Sequence, residues 1–269
     1  MSESQRKMIL KQNALPTPYS DVNAILELLL IRVQAVLQGQ FVGMYLYGSL
    51  ASGDFNPYSS DVDFLVVTTH DLPAKTFTAL AQMHTDIINS GLKFAPKLEG
   101  SYIPIHALRR FVPNDTPRPT LNEGKFYWDS HGYDWVIQRH IIREQGVILA
   151  GPDPKPMIDP VMPQELRQAI LEILRGWWRP MLDDQSFLQR SAYQVFAILS
   201  MCRIQHGLYF GTIVSKPVAA AWVQTELGEY WAGIIKDALQ WRPGVEFNHL
   251  DEAVEMIRLT VTFALSKFG

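Results

Sequence analysis

The stretch Leu46–Val67, read Leu-Tyr-Gly-Ser-Leu-Ala-Ser-Gly-Asp-Phe-Asn-Pro-Tyr-Ser-Ser-Asp-Val-Asp-Phe-Leu-Val-Val, limits what this chain can fold into more than any other. Its first apolar run ends at Gly48-Ser49, which predicts a strand breaking into a turn. Small residues there let backbone N–H groups approach an anion with no Cβ in the way. Asn56-Pro57 is turn chemistry. Asp61 and Asp63 open a second apolar run, and the two-residue period of a strand predicts both carboxylates on one face of a sheet. Carboxylates held that close repel, and the pKa of one rises unless a cation lies between them. Mg²⁺ answers that need, because it takes oxygen ligands and keeps sites free for phosphate oxygens. An anion nest followed by a metal-binding Asp-x-Asp suits phosphoryl or nucleotidyl transfer, in which charge builds on phosphate oxygens. A plain turn with surface aspartates would account for the turn, but not for paired acids leading into Phe64-Leu65-Val66-Val67.

Composition narrows the class. A chain of 269 residues, 47% hydrophobic, can bury one large core or two modest ones, and two domains are expected. A net charge of −3 and a pI near 6.2 argue against gripping a nucleic-acid backbone and favour a small cationic substrate. Cys202, the sole cysteine, permits no internal disulfide or cysteine metal cluster; it fits a reducing, cytoplasmic setting and lies in an apolar run that predicts a core position. Met1–Lys7 lacks an apolar signal region, and Glu27, Arg32 and Gln34 interrupt the first apolar stretch, Ile25–Leu37. No membrane association is expected.

In chain order, Ser20-Asp21 is expected to cap a helix to about Gln38 with Gly39 as its stop, followed by strands over Phe41–Tyr47 and Asp63–Val67. A helix should start at Asp71-Leu72-Pro73 and run to about Asn89. Lys97–Ile103 is a shorter strand candidate, which Gly100-Ser101 weakens. From Phe111 to Trp135 the pattern is irregular and aromatic: either a loop lining a binding site or rings covering a sheet edge. His131 in that segment has no second ligand nearby and reads as structural. A helix over Asp134–Gln145 and a short strand over Val147–Ala150 precede five prolines between Pro152 and Pro163, a semi-rigid linker. The remainder is helical, with segments near Gln164–Trp178, Ser186–His206, Lys216–Leu227, Tyr230–Trp241 and Leu250–Phe268, as in a bundle.

Gly48-Ser49, Gly53 and Ser60-Asp61-x-Asp63 together resemble the signature of the polymerase-β-like nucleotidyltransferase superfamily. That resemblance implies a third carboxylate from the following strand, and Glu99 is the acid placed to supply it, as metal ligand or as general base. Val147–Pro152, Asp159-Pro160-Val161, Leu199–Ile204 with Gly211, and Ser215–Trp222 resemble the streptomycin- and spectinomycin-modifying aminoglycoside adenylyltransferases. An α+β architecture is implied: an N-terminal nucleotidyltransferase domain with a mixed sheet and flanking helices over residues 1–156, and a C-terminal α-helical bundle over 157–269.

The resemblance further implies Mg²⁺ held by Asp61, Asp63 and Glu99. ATP would be met by Gly48 and Ser49 and by two bundle cations, Arg203 and Lys216. A cationic aminoglycoside in the interdomain cleft would meet Trp177 and Asp183, whose immediate rivals are Trp178 and Asp184. The expected reaction is AMP transfer from ATP to an aminoglycoside hydroxyl with release of pyrophosphate, by a monomer without nucleic-acid or membrane partners. Two alternatives stand beside it: a nucleotidyltransferase acting on a protein or nucleic-acid acceptor, and a non-catalytic nucleotide-binding relative.

Overall fold

A computed structural model describes residues 15–268, so the Met1–Lys7 segment lies outside the described residues. The apolar run after Asp61 forms strand β2 (Val62–Thr68), with Phe64 to Val67 completely buried. Its neighbour β1 (Phe41–Leu46) pairs with it antiparallel. Helix α1 (Ser20–Leu37) precedes β1, the five-residue helix α2 (Gly48–Ser52) connects β1 to β2, and α3 (Ala74–Ile88) connects β2 to β3 (Leu98–Pro104). A helical crossover of that length lets β3 lie parallel to β2. Beyond β3 come the short helix α4 (Ile105–Leu108), strands β4 (Arg118–Asn122) and β5 (Lys125–Asp129), helix α5 (Asp134–Gln145) and strand β6 (Val147–Ala150). The six strands form one mixed sheet in the order β5-β4-β3-β2-β1-β6.

Alternation along β2 and β3 divides the side chains between two faces. Val62, Phe64, Val66 and Tyr102 pack under α1 and α3, while Leu65, Val67 and Ile103 pack under Trp135, Ile141 and Ile142 of α5. Among the described residues α1 is the one helix long and apolar enough to cross a bilayer. Here its residues Val22, Ile25, Leu26, Leu29 and Val33 are buried against the sheet.

Several local expectations change. Helix α1 starts at Ser20 after Tyr19 with no side-chain cap, and ends at Gln38, whose φ is 48°, ahead of Gly39. A short helix replaces a plain turn after Gly48. Gly100 and Ser101 do not weaken β3 but sit buried within it, because a side chain at 100 would collide with the Phe64 carbonyl and ring on β2. The segment read as irregular contains the β4–β5 hairpin, turned at Glu123 and Gly124 with φ of 47° and 73°. Its prolines hid the strand; β4 tolerates Pro119 because it pairs with β3 through only Thr120 and Leu121. Of the two readings of its aromatics, covering is what Phe126 and Trp128 do, stacking on Phe77 of α3 at 5.0 and 4.8 Å.

The helical half consists of α6 (Pro163–Ile173), α7 (Ser191–Phe210), α8 (Lys216–Leu227), α9 (Glu229–Gln240) and α10 (Leu250–Phe268). Helix α7 is its axis, buried on most sides and including Cys202, as a helix apolar all round should be. Between Gln194 and Leu208 the exceptions, Phe196, Ser200 and Arg203, recur at helical spacing and so share one stripe. Ile137 of α5 and Ile213 before α8 contribute to the apolar clusters of both halves, which therefore pack as neighbours.

Candidate active site

The stripe on α7 and the start of α8 face the end of β2 where the aspartates lie. Asp63 is the ladder partner of Glu99 in the parallel β2–β3 pair, so the two carboxylates stand side by side on the α5 face. Asp61 precedes β2 by one residue and thus lies outside the strand alternation expected to align it with Asp63. It is placed instead by a hydrogen-bonded loop: Asn56 Oδ1 accepts from Tyr58 N–H, and Ser60 Oγ accepts from Asn56 N–H, each at 3.0 Å. Gly48 has a φ of +61°, and any Cβ there would fall on the Asp63 carboxylate; only glycine lets the backbone pass so close to that acid. Tyr47 N–H donates to the Asp63 carbonyl oxygen at 3.2 Å, which fastens the first turn of α2 to β2.

The charges at this place are strained in opposite senses. Withdrawal from water, and then the Asp61 charge, push Asp63 up to about 7 against the downward pull of Lys216 and Arg203. Glu99 is likewise pushed up to about 7 by burial, Asp61 and Asp63, while the Glu123 backbone N–H and Lys97 favour its charged form. Lys216 is pushed down to about 8 by burial and by Arg203, and both aspartates oppose this. Arg203 is lowered by burial, with Asp63 opposing. The sheet thus gathers negative charge and the bundle positive charge across one cleft. Lys216 also begins α8, where Ser215 caps the helix and the N-terminal dipole end is already positive, so a lysine there is placed for an anion.

The three carboxylates, Asp61, Asp63 and Glu99, come together with Gly48, Arg203 and Lys216. Their hard oxygen donors and mutual repulsion suit a divalent cation such as Mg²⁺. Among the described residues, however, no three acidic, histidine or cysteine side chains form a closed ligand set. The Asp61 Oδ1 atom meets Lys97 Nζ at 3.0 Å instead.

Trp177 and Asp183 do not join this cluster. Helix α6 runs on into a π turn over Leu174–Trp178, which leaves Trp177 46% exposed and sinks Trp178 into the bundle core at 2%. From Trp177 a row of rings leads back toward the acids. It passes through Phe187 at 5.8 Å, Tyr193 at a further 5.5 Å and Phe196 at a further 6.2 Å, with Lys216 Nζ 5.0 Å from the Phe196 ring. Asp184 accepts from Ser186 N–H at 3.0 Å, whereas the Asp183 carboxylate has no partner among the described residues.

Four contributors escaped the sequence reading. Phe196 lies seven residues before Arg203 on the same stripe, a helical spacing that could have exposed it. Lys97 opens the strand expected around Glu99, but it ends the turn Ala95–Lys97 ahead of β3. The Tyr47 phenol, held well above 10 by burial and by Asp63, Glu99 and Asp134, stays a neutral donor beside the acids. Arg242 lies over the Tyr58 ring at 4.4 Å and joins the bundle to the Asp61 loop; no sequence signal marks that pair. His131 is occupied structurally: its Nε2 lies 2.9 Å from Ser101 Oγ, its ring stacks on Trp135 at 3.7 Å, and burial pushes its pKa down to about 3.

Comparison with known proteins agrees with both halves. Residues 34–108 match the nucleotidyltransferase domain family, and residues 156–267 match the aminoglycoside adenylyltransferase C-terminal domain family. The chain is 27% identical over 251 residues to an aminoglycoside (3'') (9) adenylyltransferase of Klebsiella pneumoniae, covering 87% of this chain and 93% of that protein. It is 24% identical over 225 residues to a spectinomycin 9-adenylyltransferase of Campylobacter jejuni, covering 76% of this chain and 79% of that one. The fold is similar to the crystal structure of spectinomycin adenyltransferase AAD(9) from Enterococcus faecialis with ATP and spectinomycin. The TM-score is 0.69 at 17% identity, over 89% of this chain and 98% of that chain.

Proposed function

We propose, for a chain that belongs to the aminoglycoside adenylyltransferases of the nucleotidyltransferase superfamily, that its reaction is Mg²⁺-dependent and that its acceptor is streptomycin, spectinomycin or both. The family activity is ATP-dependent transfer of AMP, so this chain is an enzyme. The observation that carries the finer reading is the opposition of Asp61, Asp63 and Glu99 on the sheet to Arg203 and Lys216 on the bundle. That cleft suits a triphosphate whose charge exceeds what one divalent cation neutralises.

Asp61, Asp63 and Glu99 would hold Mg²⁺, which when bound neutralises charge on the phosphate oxygens. Gly48 and Ser49 would present backbone N–H groups to a phosphate, and Arg203 and Lys216 would draw the β- and γ-phosphates toward the bundle. The acceptor hydroxyl oxygen forms its bond to the α-phosphorus as the bond to the bridging oxygen breaks, and pyrophosphate leaves with that electron pair. Where Glu99 is not itself a metal ligand, the hydroxyl proton would pass to it as general base. Trp177 and the rings between it and Phe196 would receive the faces of the acceptor, and Asp183 one of its cationic groups.

We place the domain boundary at residues 156/157. The enzyme is read as a cytoplasmic monomer whose partners are ATP and the aminoglycoside, with neither nucleic acid nor membrane. The deciding experiment measures pyrophosphate release from ATP and Mg²⁺ across streptomycin, spectinomycin and unrelated aminoglycosides. Release with either of the first two and its loss on chelation support the reading. Release only with other amines would reject the acceptor, and release undiminished by chelator would reject the metal.

A further inference from the structure

Lys97 is the charged group of the cleft to which the reaction above gives no part. It ends the turn Ala95–Lys97 and leads directly into the strand that carries Glu99. Its ammonium lies 3.0 Å from Asp61 Oδ1, with 44% of the lysine side chain and 38% of the aspartate side chain exposed. So exposed a pair adds little to the stability of the fold. Its placement says more. The field of Lys216 reaches both aspartates and that of Arg203 reaches Asp63, but the cation in direct contact with Asp61 is Lys97. One of the two Asp61 carboxylate oxygens is therefore taken by an ammonium at the place where a divalent ion would draw on it. A metal ion and an ammonium cannot share one carboxylate oxygen without facing each other at close range.

We propose that Lys97 is a resident counter-ion of the metal site, holding Asp61 in the metal-free enzyme and giving it up when a divalent cation binds. The inference rests on the metal reading of Asp61, Asp63 and Glu99. Two consequences follow from the charges. Lys97 weakens metal binding to the free enzyme, because the ion must break the pair first. Once displaced, the ammonium is drawn to an oxygen of the nucleotide's phosphates, the excess negative charge entering the cleft. Metal and nucleotide then bind better together than separately, and Lys97 is the residue that couples them.

The test titrates Mn²⁺, a visible stand-in for Mg²⁺, into the full-length protein without nucleotide and reads the free ion by its paramagnetic resonance signal. Lys97→Met keeps the apolar stem and removes the charge. It should bind Mn²⁺ about two- to fivefold more tightly, the equilibrium equivalent of losing an exposed ion pair. Lys97→Arg keeps the pair and should bind no more tightly than the parent. The gain should vanish in Asp61→Asn, where no carboxylate is contested. Equal affinity in parent and Lys97→Met would overturn the proposal while leaving the metal site intact. A gain of the same size in the Asp61→Asn background would overturn it too, by showing a general field effect. If the parent binds no Mn²⁺ alone, and water-proton relaxation shows no Mn·ATP immobilised on the enzyme, the metal reading itself fails.

Discussion

The two faces of the cleft differ in how they are built as well as in sign. The sheet fixes its acids through the backbone: Asp63 and Glu99 are neighbouring rungs of the β2–β3 ladder, and Gly48 lets the chain pass tight against Asp63. The bundle presents its cations at the ends of long stems, Arg203 from α7 and Lys216 from the first turn of α8. Each face is pushed toward its neutral form, the acids up to about 7 and Lys216 down to about 8. Backbone pairing thus places the acidic face, and the docking of two helices places the cationic one. On the function proposed above, the first would set the reacting centre and the second would meet the triphosphate.

That division is tested most severely at the reacting centre. Glu99→Gln keeps shape but cannot take a proton, and should lower turnover by roughly 10²- to 10⁴-fold. If nucleotide affinity measured calorimetrically with Mg²⁺ survives, Glu99 is chiefly the base; if it falls as in Asp63→Asn, Glu99 is chiefly a ligand. Full activity would remove Glu99 from the reacting centre altogether.

On the bundle side, Lys216→Met and Arg203→Met should each weaken ATP by about 1.5–3 kcal/mol, roughly 10- to 100-fold, as loss of a charged hydrogen bond does. Binding of the acceptor alone should change much less. A larger loss of acceptor than of ATP would break the assignment of phosphate to the cationic face.

Stability against pH sharpens the contrast without any substrate. Because Asp63 is raised above its unfolded value, the folded state holds a proton that the unfolded state releases. Asp63's contribution to ligand-free stability should therefore fall as pH rises from about 4 to about 7, against the opposite trend of His84 and His131, whose pKa values burial pushes down to about 3. Asp63→Asn removes the buried charge and should stabilise the protein above pH 7 by about 1–3 kcal/mol, with little gain near pH 4. Thermal midpoints measured from pH 4 to 8 check this, and a gain independent of pH would contradict it.

Smallest of all should be the effects at the row of rings. Phe196→Ala and Trp177→Ala should each cost the acceptor about 0.5–1.5 kcal/mol, the worth of an aromatic contact. Only Phe196→Ala should also touch ATP, through the Lys216 ammonium it supports. Unchanged acceptor KM in both variants would move the acceptor off this wall.

Much of the site's geometry was legible because it is local. Gly48 and Asp63 lie on either side of one short connection, and two-residue alternation fixes the direction of Asp63 once β2 is recognised. The β4–β5 hairpin was illegible for a local reason as well: Pro117, Pro119 and Gly124 are loop signals, and nothing in the sequence declares that Glu123 accepts a φ of 47°. Its backbone N–H is what reaches the Glu99 carboxylate.

By itself, then, the sequence determined the elements and most of the chemically active residue types: the glycine turn, the acids, the helical half, and a lysine opening a helix. Those depend on periodicity and on short-range sterics, which a linear string carries. Tertiary structure alone decided which groups meet. The pairing of β2 with β3 sets Asp63 beside Glu99, and the docking of α7 and α8 brings Arg203 and Lys216 to Asp63, 140 and 153 residues earlier in the chain. A π turn chooses Trp177 over Trp178 for the surface. Lys97 meets Asp61 because strands far apart in sequence become neighbours in space, and charge acts through that space, not along the chain.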